Sequence, residues 1–213
     1  MFIGHFALGF AAKKVAPPVS LAVLFVACQF ADLLWPVLVL LGIEQVAIEP
    51  GITAMTPLNF VSYPYSHSLL TLTLWGVTLG AVYVGATRAR ASTALTLALL
   101  VVSHWVLDVV THRPDMPLAP GASPKLGLGL WNSIPATIAV EVAMFAVGLW
   151  LYLGRAAPRT RGRTIGLWTL VALLLIAYFG AAFGPPPPSV TALVWTAIAG
   201  SVLTLVGAWA VDR

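Results

Sequence analysis

An all-α fold, a polytopic bundle of about six membrane-spanning helices preceded by a short half-length helix, is what this 213-residue sequence predicts. Three observations lead there. Hydrophobic residues make up 60% of the chain and charged ones 8%, where soluble domains carry roughly 25% charged residues. The mean hydropathy is +0.95. Several separate apolar runs reach the ~20 residues that a helix needs to cross a ~30 Å hydrocarbon core, in which backbone groups must be satisfied internally.

In chain order, residues 1–12 are apolar but too short to span, at ~18 Å for a helix of that length. Lys13 and Lys14 follow this run, the reverse of the order in a cleaved signal peptide, so it is read as a retained half-helix. Pro17-Pro18 breaks the chain before the first full-length run. The spans expected are 19–42, 67–87, 91–111, 133–153, 164–183 and 190–211. Ser66 is placed to cap the second, with His67 just inside the helix, where the helix N-terminus disfavours an imidazolium and leaves a neutral ring free to coordinate. The last two spans hold no ionisable residue between Arg163 and Asp212 and read as scaffold or dimer surface, which leaves a homo-oligomer open. Cys28, the single cysteine, lies inside a span, so there is neither a disulfide framework nor a cysteine metal knuckle.

Charge divides the connections. Lys13, Lys14, Arg88, Arg90, Arg155, Arg159, Arg161, Arg163 and Arg213 fall on one side, and only Arg113 and Lys125 on the other. The positive-inside rule makes the first side cytoplasmic, with both termini there. The pI of 9.6 is therefore a signal of topology, and no nucleic-acid partner is expected. Two long loops rich in Pro, Gly and Ser, 43–66 and 112–132, cover the opposite mouth.

Against this background the few ionisable residues stand out, since such groups inside a membrane are costly and functional by default. His104, Asp108 and His112 recur every four residues and share one helix face. By depth at 1.5 Å per residue, His104, Glu141, Asp32 and His5 fall in one layer, with Asp108, His67, His112 and Asp115 in a shallower layer above it. Imidazole and carboxylate without thiolate suit zinc, and also manganese or iron, as one ion or two. Two arrangements are open. Asp108 bridges two ions between His104 and His112, or else His104, Asp108, His67 and Asp32 hold one ion, His5 beside them, while His112 and Asp115 act behind it or on substrate. Glu141 is the candidate general base. Taken singly, each residue has a plainer reading: a hydrogen-bonded structural carboxylate for Asp32 or Glu141, an interfacial histidine for His5, solvated loop residues for His112 and Asp115. All four histidines of the chain falling within reach of one place favours a metal site.

Gly4-His5, Ala31-Asp32, Tyr65-Ser66-His67-Ser68-Leu69 and the stretch from Ser103-His104 through Asp108 to Thr111-His112 resemble the YdjM-like family of predicted inner-membrane metal-dependent hydrolases, some of which are described as LexA-binding. The resemblance covers residues 1–115, which makes that part the metal half of a single domain and leaves 116–213 mainly scaffold. It implies a metal-dependent hydrolase among membrane lipids, and the cluster's own chemistry suits activation of a water by the metal. The His-x-x-x-Asp spacing, with further His and Asp before it, also resembles zinc-dependent phospholipase C, which implies a lipid phosphoester as substrate, with other membrane-delivered esters or amides left open. The same cluster in a cation or proton transporter is the alternative, and a scaffold recruiting a partner through the Arg-rich loop at 155–163 is a third.

Overall fold

The computed structural model describes residues 1–156 and 160–212; Arg159 and Arg213, counted above among the cytoplasmic cations, lie outside them. The first helix, α1 (Ile3–Ala12), is the expected half-helix. It lies inside the bundle, with Ile3 and Phe10 fully buried.

The run expected to form one span at 19–42 is two helices, α2 (Leu21–Cys28) and α3 (Phe30–Leu40), bent by 59° at Gln29. Ser20 caps α2, its Oγ accepting from Val23 N at 3.3 Å. The apolar pattern conceals the bend, because both halves are strongly hydrophobic and Pro36, the only obvious breaker, lies inside α3. The bend leaves the carbonyl of Cys28 open to a side chain of another helix, His104.

The first long loop is more ordered than expected: β1 (Gln45–Ile48) and β2 (Leu58–Ser62) pair antiparallel, with Ile48 opposite Leu58. A single turn, α4 (Pro64–His67), leads into α5 (Leu69–Thr87). Helix α6 (Ala91–Thr111) then returns along α5 as an antiparallel pair. In the second loop β3 (Met116–Pro117) pairs with β4 (Lys125–Leu126), and a short 3-10 turn at Leu130–Asn132 precedes α7 (Ile134–Ala156). Helices α8 (Arg161–Phe183) and α9 (Val190–Asp212) complete the chain.

Among the described residues five helices, α5 to α9, are long and apolar enough to cross a membrane, or six where the bent α2–α3 pair is taken as one broken span. The chain is an integral membrane protein by this measure. Leu74, Val82, Leu203 and Val206 are exposed on α5 and α9, as expected of surfaces that meet hydrocarbon. Helix α1 is closely packed: Phe10 meets Phe25 edge to face with ring centroids 5.0 Å apart, and both are fully buried, as are Leu24, Leu97 and Val101. Gly148 of α7 makes this possible: a Cβ there would stand 2.3 Å from the carbonyl oxygen of Ala7. Helix α1 is therefore held against α7 by backbone contact, and everything α1 carries is held with it.

Candidate metal centre

Helix α6 supplies the floor of the site. His104 and Asp108, four residues apart, share its buried face at 0% and 2% exposure. The Asp108 carboxylate faces two imidazoles, with Oδ2 3.1 Å from His104 Nε2 and Oδ1 3.0 Å from His5 Nε2. His5 arrives on α1, and its ring stacks on that of His104 with centroids 3.6 Å apart and planes 2° from parallel. From the other side α4 brings His67 and α3 brings Asp32. His67 Nε2 is 3.5 Å from Asp32 Oδ1 and 3.9 Å from Asp108 Oδ2, and His104 Nε2 is 3.7 Å from Asp32 Oδ1. Two triads result, His5–His104–Asp108 and Asp32–His67–His104, each with ligand atoms within 4.8 Å of one another. They share His104. The amino nitrogen of Met1 also lies against Asp108 Oδ1, and 3.1 Å from Thr111 Oγ1.

The three longer separations suit an ion better than a hydrogen-bond network, while the 3.0 and 3.1 Å contacts to Asp108 suit either. Two atoms each ~2.1 Å from one tetrahedral ion stand ~3.4 Å apart. The values of 3.5, 3.7 and 3.9 Å exceed ordinary hydrogen-bond reach. Moreover, His104 Nε2 is buried with no hydrogen-bond partner, an arrangement that costs free energy unless something else binds that lone pair. These buried His and Asp groups could hold a metal ion.

The groups behind the ligands fix which nitrogen faces inward. At the α2–α3 bend, His104 Nδ1–H donates to the carbonyl of Cys28 at 2.9 Å, which leaves the Nε2 lone pair directed at the carboxylates. For His67 the same result is reached through Ser66. The Ser66 hydroxyl donates to Glu44 Oε2 at 2.6 Å, and having one proton it can only accept from His67 Nδ1–H at 2.7 Å. Glu44 is itself buried and held by the N–H groups of Tyr65 and Ser66 at 2.8 and 2.9 Å. Ser66 is thus not the helix cap expected of it: Ser68 caps α5, accepting from Thr71 N at 3.3 Å, because Pro64 starts a separate turn that ends at His67. Nothing in the sequence singles out Glu44, which is one acid in a Gly/Pro-rich loop with no spacing to tie it to Ser66.

His112 and Asp115 stand apart from the triads. His112 is the residue after α6, in extended conformation, so the bridge of two ions between His104 and His112 is not the arrangement found. Its Nδ1 lies 2.9 Å from Asp115 Oδ1, which also accepts from the Tyr63 hydroxyl at 2.8 Å. Arg113 Nε donates to Asp115 Oδ2 at 3.0 Å. Both residues are buried, not solvated. Burial holds the His112 imidazole below its usual range. Burial also pushes the Asp115 carboxyl up, but the hydrogen bonds from His112, Tyr63 and Arg113 outweigh it and hold it low. Burial first, and then the Asp115 charge, push the Tyr63 phenol well up. The ring of His112 is further fixed by Trp131, 4.2 Å away between centroids. Gly127 and Gly129 clamp the backbone here; a Cβ on Gly127 would stand 2.0 Å from the Arg113 carbonyl oxygen, and Gly129 N donates to His112 O at 2.7 Å.

Glu141, expected as general base, is in neither triad. Its Oε2 accepts the N–H groups of Phe2 and Gly4 at 2.8 and 3.1 Å, the unpaired donors at the start of α1, while Oε1 is buried without a partner. It therefore anchors the helix that carries His5. Asp32 is the one accessible ligand, its side chain 41% exposed against 3% or less for the other four, so approach to the triads is past Asp32.

No family model, curated protein or solved structure matches the chain.

Proposed function

We propose that this protein is a membrane-embedded metal-dependent hydrolase, with zinc as the first choice of ion and His5, Asp32, His67, His104 and Asp108 as its ligands. The observation that carries the proposal is the buried, unpartnered Nε2 of His104 standing within 3.1 to 3.7 Å of two carboxylates and shared by both triads. A divalent ion so held supplies Lewis-acid activation of water and of the bond to be cleaved. The chain's own groups supply the rest. With Nδ1–H donated to Asp115, the Nε2 of His112 keeps a lone pair and is the group suited to accept and return a proton, the role sought for Glu141 in the sequence. Tyr63 and Arg113 hold Asp115 in place for it. The resemblance of the His and Asp stretches to YdjM-like predicted hydrolases points the same way, and the charge asymmetry of the loops would put the site at the non-cytoplasmic mouth.

Transport is the weaker reading. A pathway for ions or protons would continue polar past the cluster, whereas the next buried layer holds Phe10, Phe25, Leu97 and Val101. The test is metal content by elemental mass spectrometry on detergent-purified protein, beside a His104→Ala, Asp108→Ala variant checked for folding. One or two equivalents of zinc, manganese or iron, lost in the variant, is the expected result, followed by hydrolysis of lipid phosphoesters or amides by the loaded protein alone. Metal-free protein after purification without chelators would refute the proposal.

A further inference from the structure

A cleft of about 500 Å³ opens between the two small strand pairs, lined among others by Asn59, Phe60, Arg113, Asp115 and Lys125. Of the chain's 11 basic residues only Arg113 and Lys125 lie between residues 91 and 154, and both line this one cleft. They reach it from different elements. Arg113 follows α6, and Lys125 stands on β4, opposite Pro117. Two anchors aim the guanidinium: Nε on Asp115 and Nη2 on the Asn59 side-chain oxygen. This leaves Nη1 and one hydrogen of Nη2 unengaged, and a guanidinium fixed in this way is suited to bidentate recognition of an oxyanion. Lys125 is exposed and has no acidic partner among the described residues. The acids nearby do not cancel it. Asp115 is shared among Arg113, Tyr63 and His112, and Glu49 accepts from the far side of Asn59, through Nδ2 at 2.8 Å.

We propose that this cleft is a binding site for a phosphate group, the anionic part of the substrate, held between the Arg113 fork and the Lys125 ammonium. The substrate assignment rests on the hydrolase reading; the binding site does not. Asp115 joins the two regions. The carboxylate that fixes Arg113 also orients His112 through Nδ1, so an anion seated on Arg113 is linked through one shared carboxylate to the residue that carries the proposed proton acceptor. Such a subsite selects phosphoesters over the esters and amides that the triads alone would equally serve.

Calorimetric titration of chelator-treated protein in maltoside, which carries no phosphate, tests this independently of any metal. The probes are dihexanoyl phosphatidic acid, inorganic phosphate and dihexanoylglycerol, applied to the parent and to Lys125→Gln and Arg113→Lys. Phosphatidic acid binding at least about tenfold tighter than dihexanoylglycerol is expected, weakened about fivefold in Lys125→Gln by loss of one solvent-exposed charge contact. Lys125→Gln is the decisive variant, because this exposed side chain has no hydrogen bond or ion pair among the described residues, whereas Arg113→Lys also removes the fork. Inorganic phosphate binding with the same Lys125 dependence identifies a free phosphate as a sufficient ligand; binding of the lipid alone identifies a headgroup. Equal binding of phosphatidic acid and dihexanoylglycerol, or binding unchanged in Lys125→Gln, overturns the proposal. Metal content is measured separately, so a protein that binds phosphate but no metal sinks the hydrolase reading alone.

Discussion

Ser66→Ala is the sharpest probe of the metal centre, because it removes one oxygen and no ligand. In the parent that oxygen accepts His67 Nδ1–H at 2.7 Å and donates to Glu44 at 2.6 Å. Without it the Nδ1–H has no acceptor, and the imidazole gains by moving its proton to Nε2, the nitrogen that faces Asp32 and Asp108. Groups that orient ligands in this way are worth ~10- to 100-fold in metal affinity. That range corresponds to ~1.4 to 2.7 kcal/mol. Glu44 keeps two backbone donors, from Tyr65 and Ser66, so the loop should survive. Zinc affinity is measured by competition with a chromophoric chelator in detergent, alongside the thermal midpoint of the metal-free protein. A double-mutant cycle with His67→Ala gives the second readout: once His67 is gone, Ser66→Ala should cost nothing more. The reasoning fails if folded Ser66→Ala binds zinc within about twofold of the parent, or if the two substitutions are additive.

Packing and electrostatics give two further expected outcomes. Gly148→Ala places a methyl 2.3 Å from the Ala7 carbonyl oxygen, on backbone that has no side chain to swing aside. It should destabilise by ~1 to 3 kcal/mol and loosen retained metal through displacement of His5; an unchanged thermal midpoint would show that α1 and α7 are not held as described. His112 has a folded pKa below its ordinary 6.5, so the unfolded chain binds the extra proton and the neutral ring's contribution to stability is present above pH ~6.5 and lost below it. The difference in midpoint between the parent and His112→Asn should therefore shrink as pH falls below about 6.5, and a constant difference would contradict burial of a neutral ring.

How far the candidate site was legible in the sequence depends on the kind of relation involved. The stripe His104–Asp108 is local, fixed by helical periodicity, and it stands where periodicity puts it. Gathering Asp32, His67 and His5 around it rested on depth along straight helices, and the layer survived the 59° bend because the bend lies one turn from Asp32. The same depth estimate misled for Glu141: depth says nothing about direction, and this carboxylate turns to the free N–H groups of α1. For His112, Pro114 disfavours helix at the residue before it and so accounts locally for the helix end, but no local rule foretells the pairing with Asp115 and Tyr63, which depends on a loop folding back from 52 residues before Asp115.

By itself the sequence determined the bundle, the apolar runs long enough to span, the half-helix at its start and the residues rich enough in chemistry to form a site. Composition and run length suffice there, because hydrocarbon admits few backbone solutions and penalises every stray charge. Tertiary structure alone decided that His104 belongs to both triads, that Glu44 and Ser66 choose the tautomer of His67, and that Arg113 and Lys125 share a cleft. Those are juxtapositions of separate segments with no periodicity of their own, and only the packed chain brings their atoms within reach.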